Sequence, residues 1–362
     1  MISQVTIAIT VFLAVVLFLL PRQYFIIPFI VCACFIPADQ RLIVMDLDFT
    51  PLRILVVIGV LRLLLKGETI PLRWNVLDKL ILAWAVVGAC VFVIQWMDAK
   101  MLVFKCGILF DVIGMYWLFR QSLECWDDVA LVFKVLAICC ILLAPFVAFE
   151  RTTGKNLFDV FGKAETQMRE NEYRCQATFS HSIILGSFFA TLVPCFIALA
   201  KTRRWRYISW FAAGVSVLAV FASASSTPLF VLAFMLMLML SFHLRRFGKY
   251  VLIGVFIMAL GLHIMMEAPI WHLISRVSAV AGSTGWHRYV LIDNAVSHFH
   301  EWAMIGCKST EHSGLDTNMC AHLQNRISAI ALAKPPPESF RHIIHRTALP
   351  YPRRTYAWFT AF

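Results

Sequence analysis

The chain has 362 residues, 60% of them hydrophobic and only 15% charged, with a mean hydropathy of +0.77 and a formal net charge of +11. A soluble domain carries nearer a quarter charged residues, whereas here apolar runs recur that can cross a ~30 Å hydrocarbon core, which takes roughly 20 helical residues. These values exclude an ordinary soluble enzyme. They also turn the positive charge away from nucleic acid, because the basic residues crowd the ends of apolar runs, where they set topology and meet anionic lipid headgroups.

In chain order, the apolar runs predict helices near 4–20, 24–38, 50–65, 77–96, 101–119, 129–149, 178–200, 207–222, 228–242 and 250–267. The expected fold is an all-α polytopic membrane protein of about ten transmembrane helices, with a large outer-face loop and an interfacial amphipathic helix. Residues 1–307 form one multi-span domain and 308–362 an atypical tail. The first run has no basic segment before it and no small-residue cleavage site, so it reads as a retained span. The second and third are short and flanked by proline, as tilted or re-entrant segments are. Cys32, Cys34, Cys90, Cys139, Cys140 and Cys195 lie within apolar runs and act there as small hydrophobes, with no CxxC pair or metal-ligand spacing.

Lys66, Arg73 and Lys79 mark one connection, Lys201, Arg203, Arg204 and Arg206 a second, and Arg245, Arg246 and Lys249 a third. With this list of spans all three fall on one side, which the positive-inside rule makes cytoplasmic. The 39–48 connection, the 150–177 loop, the Ser223–Thr227 link and the 268–307 segment then face outward, together with the N-terminus.

Charges inside spans are costly and each needs a reason. Arg53 and Lys105 fall near outer helix ends and Asp111 nearer the middle of its own. Two readings stand. The cations snorkel to headgroups while Asp111 pairs within the bundle, or all three line an outward-facing cavity for an anionic lipid substrate.

The stretch 150–186, ERTTGKNLFDVFGKAETQMRENEYRCQATFSHSIILG, is the long polar interval of the membrane domain. It feeds Arg174, Thr178, Ser180 and His181 into the next apolar run. Further on, Thr227 is a candidate N-cap with Pro228 as first helical residue, either an ordinary helix start or an anion site at a positive dipole end. From Trp286 the apolar positions Tyr289, Val290, Val296, Phe299 and Ala303 follow helical spacing, opposite His287, Arg288, Asn294, His298 and Glu301. This is the pattern of a helix lying in the interface. His298 and His300 are two apart, about 200° round a helix, so they do not chelate one metal ion. Beyond Cys307, scattered His, Pro and Arg and the PPP at 335–337 carry no membrane pattern.

Three of these segments resemble the O-antigen ligase/O-antigen polymerase family of envelope glycosyltransferases. RCQATFSHSIILGSFFATLVP is similar to the family's Arg-x-x-Gly-Thr-Phe-x-His pattern, with Ala177 where glycine is usual. FASASSTPLFVLAFMLMLML is similar to its Ser-rich step into an apolar helix, and GSTGWHRYVLIDNAVSHFHEWAMIG to the segment in which Gly-Arg opens an amphipathic helix. The resemblance covers roughly residues 50–307.

It implies a multi-helix membrane glycosyltransferase of the bacterial inner membrane, working at the outer face without metal or other cofactor. A glycan carried on a polyprenyl diphosphate would pass to lipid A core or to another lipid-linked repeat unit, as in lipopolysaccharide or exopolysaccharide assembly; the partners are this donor, its acceptor and membrane lipid. By motif, Arg174 and Arg288 are the diphosphate ligands, Arg276 a weaker candidate, and His181 the base or a positioning residue. Arg suits the task because its guanidinium forks onto phosphate and stays charged, and His suits proton transfer near neutral pH. The family continues with an outer-face His motif and further spans, which residues 308–362 lack, although His322 lies there. Two alternatives therefore stand beside a transferase: a transporter or flippase of lipid-linked glycan, and an inactive, frame-disrupted remnant of the enzyme.

Overall fold

The computed structural model describes residues 3–37, 39–44, 47–71, 74–162, 166–169, 172–266, 269–273, 285–303 and 306. A helix stands in each predicted interval: α1 Gln4–Leu19, α2 Ile27–Phe35, α3 Pro51–Leu65, α4 Val76–Trp96, α5 Ala99–Ser122, α6 Trp126–Thr153, α7 Ser182–Leu199, α8 Arg206–Ala222, α9 Ser226–Ser241 and α10 Gly248–Met265. Among the described residues six helical stretches are long and apolar enough to cross a membrane: Val76–Trp96, Met101–Ser122, Trp126–Thr153, Ser182–Leu199, Arg203–Ala222 and Arg245–Met265. The protein is thus a membrane-embedded helical bundle. The expected ten spans divide into these six and shorter helices; α1 and α9 have 16 residues each, about 24 Å at the α-helical rise, and α2 has nine.

Helix boundaries follow local chemistry. Ser3 and Thr50 cap α1 and α3 by accepting the N–H groups of Thr6 and Arg53, and Asn75 with Asp78 forms a capping box on α4. Gly154 ends α6 at φ 71°, with the Tyr173 ring where a Cβ would sit. Pro145 and Pro194 lie inside α6 and α7, as membrane helices tolerate where neighbours satisfy the freed carbonyls. Two short antiparallel hairpins depart from the all-helical expectation: β1 Leu42–Val44 with β2 Leu47–Phe49, and β3 Gln167–Arg169 with β4 Glu172–Arg174. Both lie in connections between helices, the first between α2 and α3 and the second between α6 and α7.

The core sits around α7. This helix packs on α8 and α9, and α8 packs on α6. Ala212, Ala213, Ser216 and Ala219 of α8 are buried, and such small side chains let helix backbones approach closely. Ser216 satisfies its hydroxyl by donating to Ala212 O in its own helix. A second layer joins α1 to α3, α3 to α5 and α5 to α4, and α2 links it to α6. No residue of α10 is buried.

Side-chain ties identify the two ends. At one, the wholly buried Arg62 donates to the carbonyls of Leu17 and Leu20 at the C-terminus of α1, where a cation complements the helix dipole. Lys66 Nζ donates to Phe18 O, and Lys134 lies over the Trp205 ring. Arg120 pairs with the buried Asp78, which also accepts from Tyr116. Lys66, Lys79 and the basic α7–α8 and α9–α10 links lie at this end, as expected of a common side; Arg73 lies outside the described residues.

Candidate functional site

The opposite end is covered by the described residues of the 154–181 loop, which fold back onto the bundle. Phe158 is buried against Phe146 and Phe161. Gln40 donates to Phe161 O and accepts from Ser3 N at 2.8 Å. Asn156 Nδ2 donates to Ala177 O at 2.9 Å, and Thr178 Oγ1 to Cys34 O, at the end of α2, at 2.7 Å. The polar interval read from sequence is therefore a docked cap, with Cys175, Gln176, Ala177 and Thr178 all buried.

Arg174 ends β4, half-buried, with its Nε buried. The backbone beside it is held from several directions. Arg151 Nη1 donates to Tyr173 O at 2.6 Å, and its Nη2 lies 3.1 Å from Glu172. Cys175 N donates to Ala222 O at the end of α8. The Glu150 carboxylate accepts Gln176 N at 3.2 Å, Ala177 N at 2.8 Å and Thr166 Oγ1 at 2.8 Å. Ala177 has φ 44°, a left-handed conformation that favours glycine.

His181 is the N-cap of α7, its Nδ1 accepting the Ile183 N–H at 3.4 Å. In a neutral imidazole that arrangement puts the proton on Nε2, making the second nitrogen a donor. One turn on, Gly186 lets α9 approach: a Cβ there would lie 2.6 Å from Pro228 and from Ser223 Oγ. The N-termini of α7 and α9 are thus neighbours at this end. Helix α9 starts at Ser226, with Ser225 in the N-cap position and no side-chain capping bond. Sequence reasoning placed this start two residues later because Thr227 and Pro228 form a familiar cap pair; Ala224, at φ 44°, turns the chain earlier.

Arg288 completes the cluster. It lies on α11, Gly285–Ser297, and its Nη2 donates to Thr227 Oγ1 at 2.6 Å, in the first turn of α9. Two contacts steady α11: Trp271 Nε1 donates to Asp293 at 3.0 Å, and His272 meets Tyr289 edge to face at 4.8 Å. The segments bearing Arg174, His181 and Arg288 therefore come to the same end, beside the α8–α9 link. Arg276 lies outside the described residues, as does the tail that holds His322. Two helix N-termini, which favour anions, stand at this end with Arg174 and Arg288, and the Glu150 and Glu172 carboxylates lie beside them.

Arg53, Lys105 and Asp111 form a separate group. Arg53 forks onto Asp111 at 2.7 and 2.5 Å and also donates to Asp48 O. Lys105 lies over the Phe92 ring at 5.0 Å. Asp111 thus pairs within the bundle, while Lys105 has an aromatic face. His298 and His300 also go separate ways: the first lies 3.0 Å from Asn294 O and the second 3.9 Å from Glu301. Among the described residues no three His, Cys, Asp or Glu side chains gather as metal ligands would.

Glu150, Arg151 and Asn156 carry the site's support and were not singled out from sequence. The one available signal was an acid–base pair at the end of a span, Glu150-Arg151, where a buried charge needs a partner. No family model, curated protein or solved structure matches the chain.

Proposed function

We propose that this protein transfers glycans from a polyprenyl diphosphate carrier at the outer face of a bacterial inner membrane. The observation that carries this reading is the Arg288–Thr227 contact of 2.6 Å, which sets one cation at the first turn of α9, beside the N-terminus of α7 and the segment bearing Arg174. In this reading Arg174 and Arg288 hold the diphosphate, and the helix N-termini add their dipoles. The acceptor hydroxyl oxygen bonds to the anomeric carbon of the donor glycan while that carbon's bond to the diphosphate oxygen breaks. The diphosphate leaves with the bonding pair, stabilised by the guanidinium groups as its charge grows, and the acceptor hydroxyl's proton passes to the departing diphosphate or to water.

His181, as capped, offers an Nε2–H suited to a phosphate oxygen. It takes a proton there only if the capping contact opens, so the positioning role fits its geometry better than the base role. The acceptor, lipid A core or a second lipid-linked repeat unit, is supplied at the membrane surface.

The test uses the full chain in vesicles loaded with labelled lipid-linked repeat. Extended or transferred glycan supports a transferase. Glycan that changes leaflet without extension supports a transporter that uses the same cations for binding, and unchanged glycan contradicts both.

A further inference from the structure

Glu150 is 1% exposed at the last turns of α6, yet it makes no ion pair among the described contacts. A carboxylate has acceptors only, and its described partners are all donors: Gln176 N, Ala177 N and the Thr166 hydroxyl. Two of them are consecutive backbone N–H groups just after Arg174, in the turn that Ala177 makes at φ 44°. The next residue of α6, Arg151, holds the chain just before Arg174 through Tyr173 O and Glu172. Adjacent residues of one rigid helix therefore grip both flanks of a single arginine. A carboxylate buried only to close a loop is a costly device; one that fixes a charged ligand within a few tenths of an ångström removes ordering entropy from binding.

We infer that Glu150 is the positioning residue for Arg174, presetting it for a diphosphate group; this rests on the reading of Arg174 as a diphosphate ligand. The carboxylate touches no substrate. It acts by fixing the backbone on which the guanidinium stands, and Arg151 holds the other flank.

The test is a binding cycle on the full chain in nanodiscs, with geranylgeranyl diphosphate as the probe. The variants are Arg174→Ala, Glu150→Gln and the double. The expected result is a weakening of at least tenfold for each single variant, while Glu150→Gln adds less than twofold in the Arg174→Ala background. Thr166→Val, which removes only the third donor from the carboxylate, changes affinity less than threefold. If Glu150→Gln does not fold, Glu150→Asp keeps the charge, shortens its reach, and is judged by the same cycle. Wild-type affinity in the Glu150 variants, with Arg174→Ala weakened, overturns the positioning role and leaves the diphosphate reading standing. Independent, multiplying effects overturn it too, since they mark a structural role only. Equal binding by wild type and Arg174→Ala, or none by wild type, overturns the diphosphate reading and the positioning role with it.

Discussion

Two alanines hold backbone conformations that favour glycine. Ala177 and Ala224 both have φ 44°, and a left-handed conformation costs a side-chain-bearing residue roughly 1–2 kcal/mol. At Ala224, half-buried after the last turn of α8, glycine removes that strain with little packing lost. At Ala177 the methyl is buried, and its loss costs about 0.8 kcal/mol, which offsets much of the relief. Ala224→Gly is therefore expected to raise the melting temperature in detergent, and Ala177→Gly to raise it less; a fall for Ala224→Gly contradicts this. Cys175 gives a pH test at the same scale. Burial, with Glu150 adding to it, pushes its thiol from 9.0 up to about 12. The folded chain thus holds this proton more tightly than the unfolded one. The resulting stability is complete below 9.0 and is lost as pH rises towards about 12. Maleimide should leave Cys175 unmodified at pH 8 until the chain is denatured, as mass spectrometry of the labelled peptide will show. The strained positions were at most half legible in the sequence: Ala177 stands where the resembled pattern has glycine, but a backbone angle does not show in residue type.

At the scale of elements, the helices followed from apolar run length and from Ser, Thr and Asn caps. The cap of α7 is less common, because histidine is seldom chosen where Ser, Thr, Asp or Asn serve. Asparagine keeps a capping oxygen but cannot take a proton from a hydroxyl. His181→Asn should retain glycan transfer within about tenfold if His181 positions, whereas removing a general base costs roughly 10²–10⁴-fold. His181→Ala, lacking the cap, should also melt earlier, by about 1 kcal/mol of stability. Transfer abolished by His181→Asn at unchanged stability makes it the base instead. The start of α9 and the hairpin bearing Arg174 were beyond sequence reasoning for a shared reason. Both depend on tertiary closure, one on α9 packing beside Gly186 and the other on Glu150 and Arg151 reaching out from α6. That Asp111 pairs within the bundle was one of the two readings the sequence offered, but its partner was not legible: Arg53, expected to reach the headgroups or a cavity, forks onto it instead.

For the whole molecule, hydropathy conveyed the membrane bundle, and the grouping of basic links conveyed its two ends. It could not convey that the long polar interval folds back as a cap, because Phe158, Cys175 and Ala177 read as isolated apolar residues until the loop closes over them. Nor could it reveal that α10 stands apart from the core, since its composition matches that of a buried helix. In the proposed function Arg174 and Arg288, brought to one bundle end from distant parts of the chain, form a single diphosphate site that supports glycan transfer. The most direct measurement is transfer from a labelled lipid-linked repeat by Arg174→Ala and Arg288→Ala, with membrane levels matched to wild type. Each substitution is expected to lower transfer roughly 10²–10³-fold, the loss typical of removing one donor to a developing anion. Wild-type transfer in both variants would contradict the site.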